Sequence, residues 1–185
     1  MKKSLRKEVL KRRKILGEED WNKSSMEIQY RLLGALFYQR ASSILVYCDF
    51  NREVKTDLLI EDSLRREKVV CVPFNDWKTK TLIPSRIYSE ADIDRNKKIP
   101  QPFILKPFPA EKIDLAVIPG VVFDVYGNRI GTGNGFFDRF LAGFGNSILK
   151  VSLAFDFQVL EEKLPVDGWD KRVDIIITET RTIKI

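Results

Sequence analysis

Histidine is absent from the 185 residues of this sequence, and cysteine is scarce. The lack of histidine excludes a Ser-His-Asp triad, a Cys-His pair and any zinc site with an imidazole ligand. Cys48 and Cys71 are too few for a four-cysteine metal site, and each lies in an apolar run that predicts a buried strand. The chemistry left to this chain is that of carboxylates, lysine, arginine, backbone amides and an oxygen-preferring cation such as Mg²⁺.

Long apolar runs are missing as well. No segment approaches the roughly 18 consecutive apolar residues of a membrane-spanning helix, and the basic start of the chain is not followed by the apolar core of a secretory signal. Two cysteines also provide no disulfide framework of the kind that small secreted domains use. We therefore expect a cytoplasmic protein with no membrane partner.

Positive charge is concentrated at one end of the chain. The formal net charge is +6, and residues 1–40 carry 11 lysines and arginines against 5 acidic residues, so the remainder is neutral. A basic helix and a pI ≈ 9.3 are typical of nucleic-acid-binding proteins, which makes such a protein one alternative. Because the charge is confined to one end and no RNP, zinc-finger or helix-turn-helix pattern is present, we expect no nucleic-acid partner.

Helical periodicity is clearest near the start of the chain. It predicts a basic helix over about 4–16 and a second helix over about 18–38. Further helices are expected to begin near Thr56 and after Gly135.

Short apolar runs between these helices predict strands. They lie at 43–48, 68–73, 114–118, 148–154 and 173–178. Residues 79–88 are expected to form a hairpin or an edge strand. Strands that alternate with helices indicate a single domain over 1–185, α/β in class, with three α/β/α layers around a mainly parallel, Rossmann-like sheet.

The stretch from Pro119 to Arg139 concentrates residues that favour anion binding. It lies between a predicted strand and a predicted helix, and Gly131, Gly133 and Gly135 alternate just before that helix. Glycine at every second position lets backbone amides approach an anion closely, and a helix N-terminus adds partial positive charge. The pattern is neither a Walker A loop nor the GxGxxG of dinucleotide folds. We predict a phosphate site here; the alternative is a flexible connection.

This stretch, PGVVFDVYGNRIGTGNGFFDR, closely resembles the glycine-rich motif of the 5-formyltetrahydrofolate cyclo-ligase family, also called 5,10-methenyltetrahydrofolate synthetases, which reads approximately PGxxFDxxGxRLGxGxGYYD. Further pieces fall in the family's order and extend the resemblance over essentially the whole chain: Lys2 with Arg6, residues 53–56, Leu164-Pro165, Asp170 and Val173-Asp174. Two positions depart from the family. Phe136-Phe137 replaces paired tyrosines, and Trp169 stands where bacterial members often have histidine.

The resemblance implies a three-layer α/β monomer that uses ATP and Mg²⁺ to convert 5-formyltetrahydrofolate to 5,10-methenyltetrahydrofolate through a phosphorylated formyl imidate. No protein nucleophile is implied. The ATP contacts implied by the family are Lys2, Arg6, Arg129, Ile130, Gly131, Thr132, Gly133, Asn134, Gly135, Phe136 and Phe137. The implied folate contacts are Cys48, Glu53, Thr132, Gly133, Asn134, Gly135 and Phe136, and the implied magnesium ligands are Asp138 and Asp170.

The residues alone leave simpler alternatives open. Lys2 and Arg6 lie one helical turn apart in a strongly basic segment, so both could belong to a solvated face. Glu53 and Asp138 could merely favour helix N-termini, and Asp170 could cap a loop. A small-molecule kinase or another ATP-dependent ligase on a similar scaffold remains an alternative function, because folate has no linear motif.

Overall fold

The computed structural model describes residues 1–143 and 147–185. The α-helices in this part are α1 (Lys2–Ile15), α2 (Glu18–Leu33), α3 (Leu36–Arg40), α4 (Asp57–Arg65) and α5 (Phe136–Ala142). The strands are β1 (Ser43–Val46), β2 (Val69–Asp76), β3 (Thr81–Ile87), β4 (Ile93–Asp94), β5 (Gln101–Pro102), β6 (Leu115–Val117), β7 (Val122–Asp124), β8 (Arg129–Ile130), β9 (Leu149–Leu153), β10 (Val159–Leu160), β11 (Ile175–Ile177) and β12 (Thr182–Lys184).

The central sheet has seven strands in the order β12-β11-β9-β6-β1-β2-β3. Its inner strands are parallel, whereas β3 and β12 join the two edges in antiparallel pairing. When the parallel strands are counted along the chain, their spatial order is 2-1-3-4-5, so the direction of winding reverses between β1 and β6. This reversal opens a crevice at the carboxyl ends of those two strands.

Helices cover both faces of the sheet. Successive side chains of a strand point to opposite faces, so Ile44 and Val46 pack with residues of α2, α3 and α4, while Leu45 packs with residues of α5. Burial on both faces explains why these strands read as continuous apolar runs in the sequence. The predicted three-layer α/β fold with a mainly parallel sheet is confirmed.

The helix α1 packs on a small second sheet. This sheet has the strand order β10-β7-β8, and Val9 of α1 belongs to the same apolar cluster as Val122 of β7 and Ile130 of β8. Because β8 leads directly into the glycine-rich stretch, this packing holds the N-terminal helix beside it. The basic helix predicted at about 4–16 is thus present with bounds shifted by one or two residues.

Two features differ from the sequence prediction. The helix predicted over 18–38 is divided, because α2 ends at Leu33, before Gly34, a poor helix former, and Ala35 is extended before α3 begins. The small sheet, the β4-β5 pair and the edge strand β12 were not predicted, since their strands are only two or three residues long. No helix among the described residues is long and apolar enough to cross a membrane.

Candidate active site

A cavity of ≈ 590 Å³ opens at the crevice between β1 and β6. The residues that follow β1, from Tyr47 to Glu53, contribute several of its lining side chains, and Pro119-Gly120 contributes the segment that follows β6. Open α/β sheets bind their ligands at such reversal points. The topology of the sheet therefore determines where the candidate site lies.

Every residue that the sequence analysis assigned to a site lines this cavity. They are Lys2, Arg6, Cys48, Glu53, Arg129, Ile130, Gly131, Thr132, Gly133, Asn134, Gly135, Phe136, Phe137, Asp138 and Asp170. The fold thus brings together α1, the loop after β1, the connection from β8 to α5, and the segment after β10. The individual roles of these residues remain predictions.

Glycine shapes the connection between β8 and α5. Gly133 (φ 106°) and Gly135 (φ 68°) have left-handed backbone angles that a side chain would strain. Arg6 Nε donates a hydrogen bond to the carbonyl oxygen of Gly131 at 2.8 Å, so α1 is attached directly to this loop. A negatively charged ligand here would meet backbone N–H groups and arginine side chains.

Arg129 is a buried cation at the start of the same loop. Its side chain is 3% exposed, and its Nη2 donates to Asp138 Oδ1 at 2.8 Å. Burial lowers the pKa of the guanidinium, and the charges of Asp138 and Asp170 oppose this effect. Its Nε has no hydrogen-bond partner among the described residues. An unpaired buried donor is destabilising, and Asp138 compensates the charge of this side chain in the described residues.

Lys2 connects the first turn of α1 to a distant loop. Its Nζ donates to Asp167 at 2.6 Å and to Asp170 at 2.5 Å. Burial lowers the pKa of Lys2, but the two carboxylates outweigh that effect and raise it. Burial likewise opposes ionisation of Asp170, but the Asp167 N–H and Lys2 outweigh it and lower the pKa of that carboxyl. Lys2, Arg129, Asp138, Asp167 and Asp170 are called the ion-pair cluster below.

The two predicted magnesium ligands, Asp138 and Asp170, both belong to this cluster. Asp138 Oδ1 accepts from Arg129 and from the Lys171 N–H at 3.2 Å, and Asp170 Oδ2 accepts the bonds just described. In the described residues, the second oxygen of each carboxylate has no hydrogen bond, and no group of three or more acidic or cysteine side chains could enclose a metal. Because Mg²⁺ is commonly held by one or two carboxylates with phosphate oxygens and water, these donors fit an ion that arrives with phosphate.

Glu53 is a buried residue that lines the cavity from the turn after β1. Burial raises the pKa of its carboxyl to about 7, while Arg13 and a 3.4 Å hydrogen bond from the Phe50 N–H oppose the increase. Cys48 is also buried, and burial raises the pKa of its thiol to about 12, so the thiol stays protonated at neutral pH. Glu53 is therefore a carboxyl that changes charge near neutrality within the cavity.

The whole sequence was also compared with known families. The model of the 5-formyltetrahydrofolate cyclo-ligase family matches residues 1–179. The chain belongs to this family. It is 28% identical over 178 residues to the 5-formyltetrahydrofolate cyclo-ligase of Escherichia coli K12, a match that covers 94% of this chain and 97% of the relative. It is 27% identical over 190 residues to the Mus musculus protein of that name, with 96% and 93% covered.

Solved structures of cyclo-ligase family members support the same assignment. The NMR structure of Aquifex aeolicus 5,10-methenyltetrahydrofolate synthetase is similar at a TM-score of 0.86 and 32% identity, and the match covers 99% of this chain and 92% of that one. The Mycoplasma pneumoniae synthetase, at a TM-score of 0.79 and 23% identity over 96% and 98% of the two chains, shows the likeness of fold. The predicted family and the prediction of a ligase enzyme are confirmed.

The two departures from the cyclo-ligase motif both lie on the cavity. Phe136 is buried and meets the ring of Trp77 edge-on, with 4.9 Å between ring centroids, while Phe137 packs against both cores. These two rings therefore have packing roles that need no phenol. Trp169 is 71% exposed, so its indole is accessible at the rim.

Several lining residues were not predicted from the cyclo-ligase motif. They include Tyr47, Phe50, Pro73, Asn75, Ile99, Pro100, Asp167 and Lys171. Asp167 had a usable signal, since it lies three residues before Asp170 in the same loop. The others come from strand ends and loops whose approach to the cavity depends on the order of the strands.

Proposed function

We propose that the chain catalyses the ATP- and Mg²⁺-dependent cyclisation of 5-formyltetrahydrofolate to 5,10-methenyltetrahydrofolate, with release of ADP and phosphate. The observation that carries this proposal is the shared cavity, in which the glycine loop and the ion-pair cluster lie together with Glu53. Such a reaction requires a phosphate donor and a folate to meet. The anion-binding loop suits the phosphate donor, and the buried carboxyl in the same cavity suits the folate.

The chemical obstacle is the formyl oxygen, which is a poor leaving group. In the proposed sequence this oxygen attacks the γ-phosphorus of ATP, the bond from that phosphorus to the bridging oxygen breaks, and ADP leaves. N10 of the same folate then attacks the formyl carbon, the carbon–oxygen bond breaks, phosphate departs and the N10 proton is released. Because the ring closure is intramolecular, positioning supplies as much as ~7–11 kcal/mol of the barrier reduction. No protein nucleophile is needed.

The proposed roles at the nucleotide end follow from charge. Lys2, Arg6 and Arg129 offset the triphosphate charge together with backbone N–H groups of the glycine loop. Asp138 and Asp170 are the residues that would hold magnesium, which when bound neutralises charge on the phosphoryl group. Lys2 is already paired with Asp170 at 2.5 Å, so the arrival of the cation and the nucleotide exchanges one ion pair for another.

The proposed roles at the folate end follow from burial. Ionised Glu53 accepts hydrogen bonds from pterin N–H groups. Phe50, Ile99 and Pro100 contribute apolar side chains to the lining of the cavity, and such a lining limits the access of water to a hydrolysable imidate. Because all these residues belong to one chain, we propose that the monomer is the active unit.

The decisive experiment is a spectroscopic assay of purified protein with 5-formyltetrahydrofolate, ATP and magnesium. We expect the methenyl chromophore to appear, with one ADP and one phosphate formed for each product. Methenyl formation at full rate without nucleotide, or with chelator in excess, would contradict the proposed reaction. ADP formation without any methenyl product would instead favour a kinase that uses the same nucleotide site.

A further inference from the structure

Arg13 is an exception among the basic residues of α1. Most of the basic side chains in this helix are exposed, including Lys14, whereas Arg13 is only 2% exposed. A buried cation is destabilising unless its charge and donors are compensated, and an apolar residue of similar size often packs as well or better. The presence of an arginine here therefore needs a reason other than packing.

The contacts of Arg13 connect it to the turn that carries Glu53. Its Nη2 donates to the carbonyl oxygens of Phe50, at 3.5 Å, and of Asn51. Asn51 and Arg52 both have positive φ, 50° and 57°, which non-glycine residues seldom adopt. A turn in this conformation is held by its surroundings more than by its own preference.

Other groups hold the same turn from α2 and its approach. Trp21 Nε1 donates to the Glu53 carbonyl oxygen at 2.8 Å, and Arg52 donates to the Leu16 carbonyl oxygen. The backbone on both sides of the Glu53 side chain is therefore fixed by α1 and α2. Arg13 differs from these groups because it also faces Glu53 electrostatically.

The gap between Arg13 and Glu53 excludes solvent. Both residues line a narrow space, together with Tyr47, that has no room for a water molecule. The charged or titratable groups that act on the Glu53 carboxyl are Arg13 from α1, and Tyr47 and Asp49 from the loop after β1. No charged side chain is contributed by the other residues that line this space at 119–120, 153 and 158. Arg13 is thus the positive charge that faces Glu53 in the described part of the chain.

We infer that Arg13 is a positioning residue for the folate substrate, because it fixes the turn at 50–53 and places a buried positive charge opposite the Glu53 carboxyl. No direct ion pair joins the two side chains among the described residues, so the carboxylate oxygens are left for a ligand in the cavity. This inference deepens the proposed function and rests on it for the role of Glu53.

The expected consequence concerns the pH dependence of substrate use. Burial raises the pKa of Glu53 to about 7 and Arg13 opposes that increase. Loss of the Arg13 charge therefore raises the pKa further, and Glu53 becomes protonated at neutral pH. If the ionised form binds folate, kcat/KM for 5-formyltetrahydrofolate then falls at neutral pH and recovers as the pH is raised.

The test compares Arg13→Met with Lys14→Met, which removes the same charge from an exposed neighbour. For Arg13→Met we expect kcat/KM for 5-formyltetrahydrofolate to fall about tenfold near pH 7 and to recover in part near pH 9, with an unchanged KM for ATP. Arg13→Lys and Lys14→Met should keep the wild-type profile. In a Glu53→Gln background, Arg13→Met should have little further effect. A loss in Arg13→Met that is equal at all pH values would overturn the inference.

A second readout separates this inference from the proposed function. The Glu53 carboxyl is titrated by carbon-13 NMR in substrate-free wild type, Arg13→Met and Arg13→Gln, the last of which keeps a donor for the turn and serves if Arg13→Met does not fold. We expect a higher pKa of Glu53 in both variants, and an unchanged pKa overturns the inference. Wild-type protein that forms no methenyl product overturns the proposed reaction, while the titration still decides the role of Arg13.

Discussion

The ion-pair cluster and the turn that carries Glu53 line the same cavity but differ in how their charges are compensated. In the cluster, Lys2 pairs with Asp167 and Asp170, and Arg129 pairs with Asp138, so both cations have carboxylate partners and one negative charge is in excess before any ligand binds. Glu53 forms no ion pair with any residue that the structure describes, and burial raises its pKa to about 7. A cluster whose cations are already paired can exchange partners with a charged ligand at little net cost, whereas a buried carboxyl without an ion pair responds to small changes in its surroundings.

The largest effect should come from breaking the cluster at its most buried member. Arg129→Met removes the cation paired with Asp138, together with the guanidinium whose Nε has no partner. A charge-assisted contact to phosphate contributes about 1.5–3 kcal/mol, so we expect kcat/KM for ATP to fall by at least about tenfold and up to about 100-fold. Arg129→Lys keeps the charge but not the planar guanidinium, so its kcat/KM for ATP should lie between those of wild type and Arg129→Met.

Steady-state kinetics with ATP varied, together with a melting curve for each variant, measures this effect. A folded Arg129→Met variant with wild-type ATP kinetics would remove Arg129 from the nucleotide site.

The second effect tests whether the acidic members of the cluster differ from one another. Asp138→Asn and Asp170→Asn should raise the magnesium concentration needed for half-maximal activity by about tenfold and lower kcat, because a neutral amide holds a cation poorly. Asp167→Asn is the matched control, since Asp167 also pairs with Lys2 but is not a predicted ligand. Magnesium titrations that give the same curve for all three variants would refute the metal site.

The third effect concerns the basic side of the cluster and the loop. Lys2→Ala and Arg6→Ala should raise KM for ATP by about three- to tenfold, less than Arg129→Met, because Lys2 and Arg6 are partly exposed and solvent screens their charges. Lys3→Ala, an exposed basic residue between them, is the control. Equal KM values for ATP in all three variants would indicate that Lys2 and Arg6 belong to the solvated face of α1 and do not contact the nucleotide.

The sequence predicted those parts of the fold and the site that follow a local residue pattern. Continuous apolar runs such as 173–178 indicated strands buried on both faces, and the structure has parallel strands there. Local spacing also indicated the glycine loop, because its function depends on backbone that only glycine permits. Strands of two or three residues, such as β8, carry no periodicity and were missed.

Arg13 is a residue beside the site whose burial could not be predicted from the sequence. Eight of the first fourteen residues are basic, and nothing in that run marks one of them as buried. Its burial depends on how α1 packs against the small sheet. No sequence pattern predicts that packing. Tertiary packing alone distinguishes Arg13 from Lys14.

The fourth effect addresses the isolated carboxyl. Glu53→Gln should raise KM for 5-formyltetrahydrofolate by about three- to tenfold with little change in KM for ATP or in magnesium demand, because a charge-assisted acceptor is replaced by a neutral one. In wild type, kcat/KM for folate should decline as the pH falls below about 7, where Glu53 becomes protonated. Glu53→Gln should lack this decline. A Glu53→Gln profile that keeps the wild-type acid limb would assign that limb to another group.

The smallest effect is expected at Cys48, whose thiol lines the same cavity as Glu53. Cys48 lines the cavity and Cys71 does not, yet burial raises the pKa of both thiols to about 12. Near pH 7 the reactive thiolate is then roughly one part in 10⁵ of each cysteine, since every pKa unit above the solution pH reduces it tenfold. We expect the native protein to resist a thiol-modifying reagent at neutral pH, with both cysteines reacting after denaturation. Rapid labelling of native Cys48 that is blocked by 5-formyltetrahydrofolate would show instead that the buried side of the cavity is open to solvent.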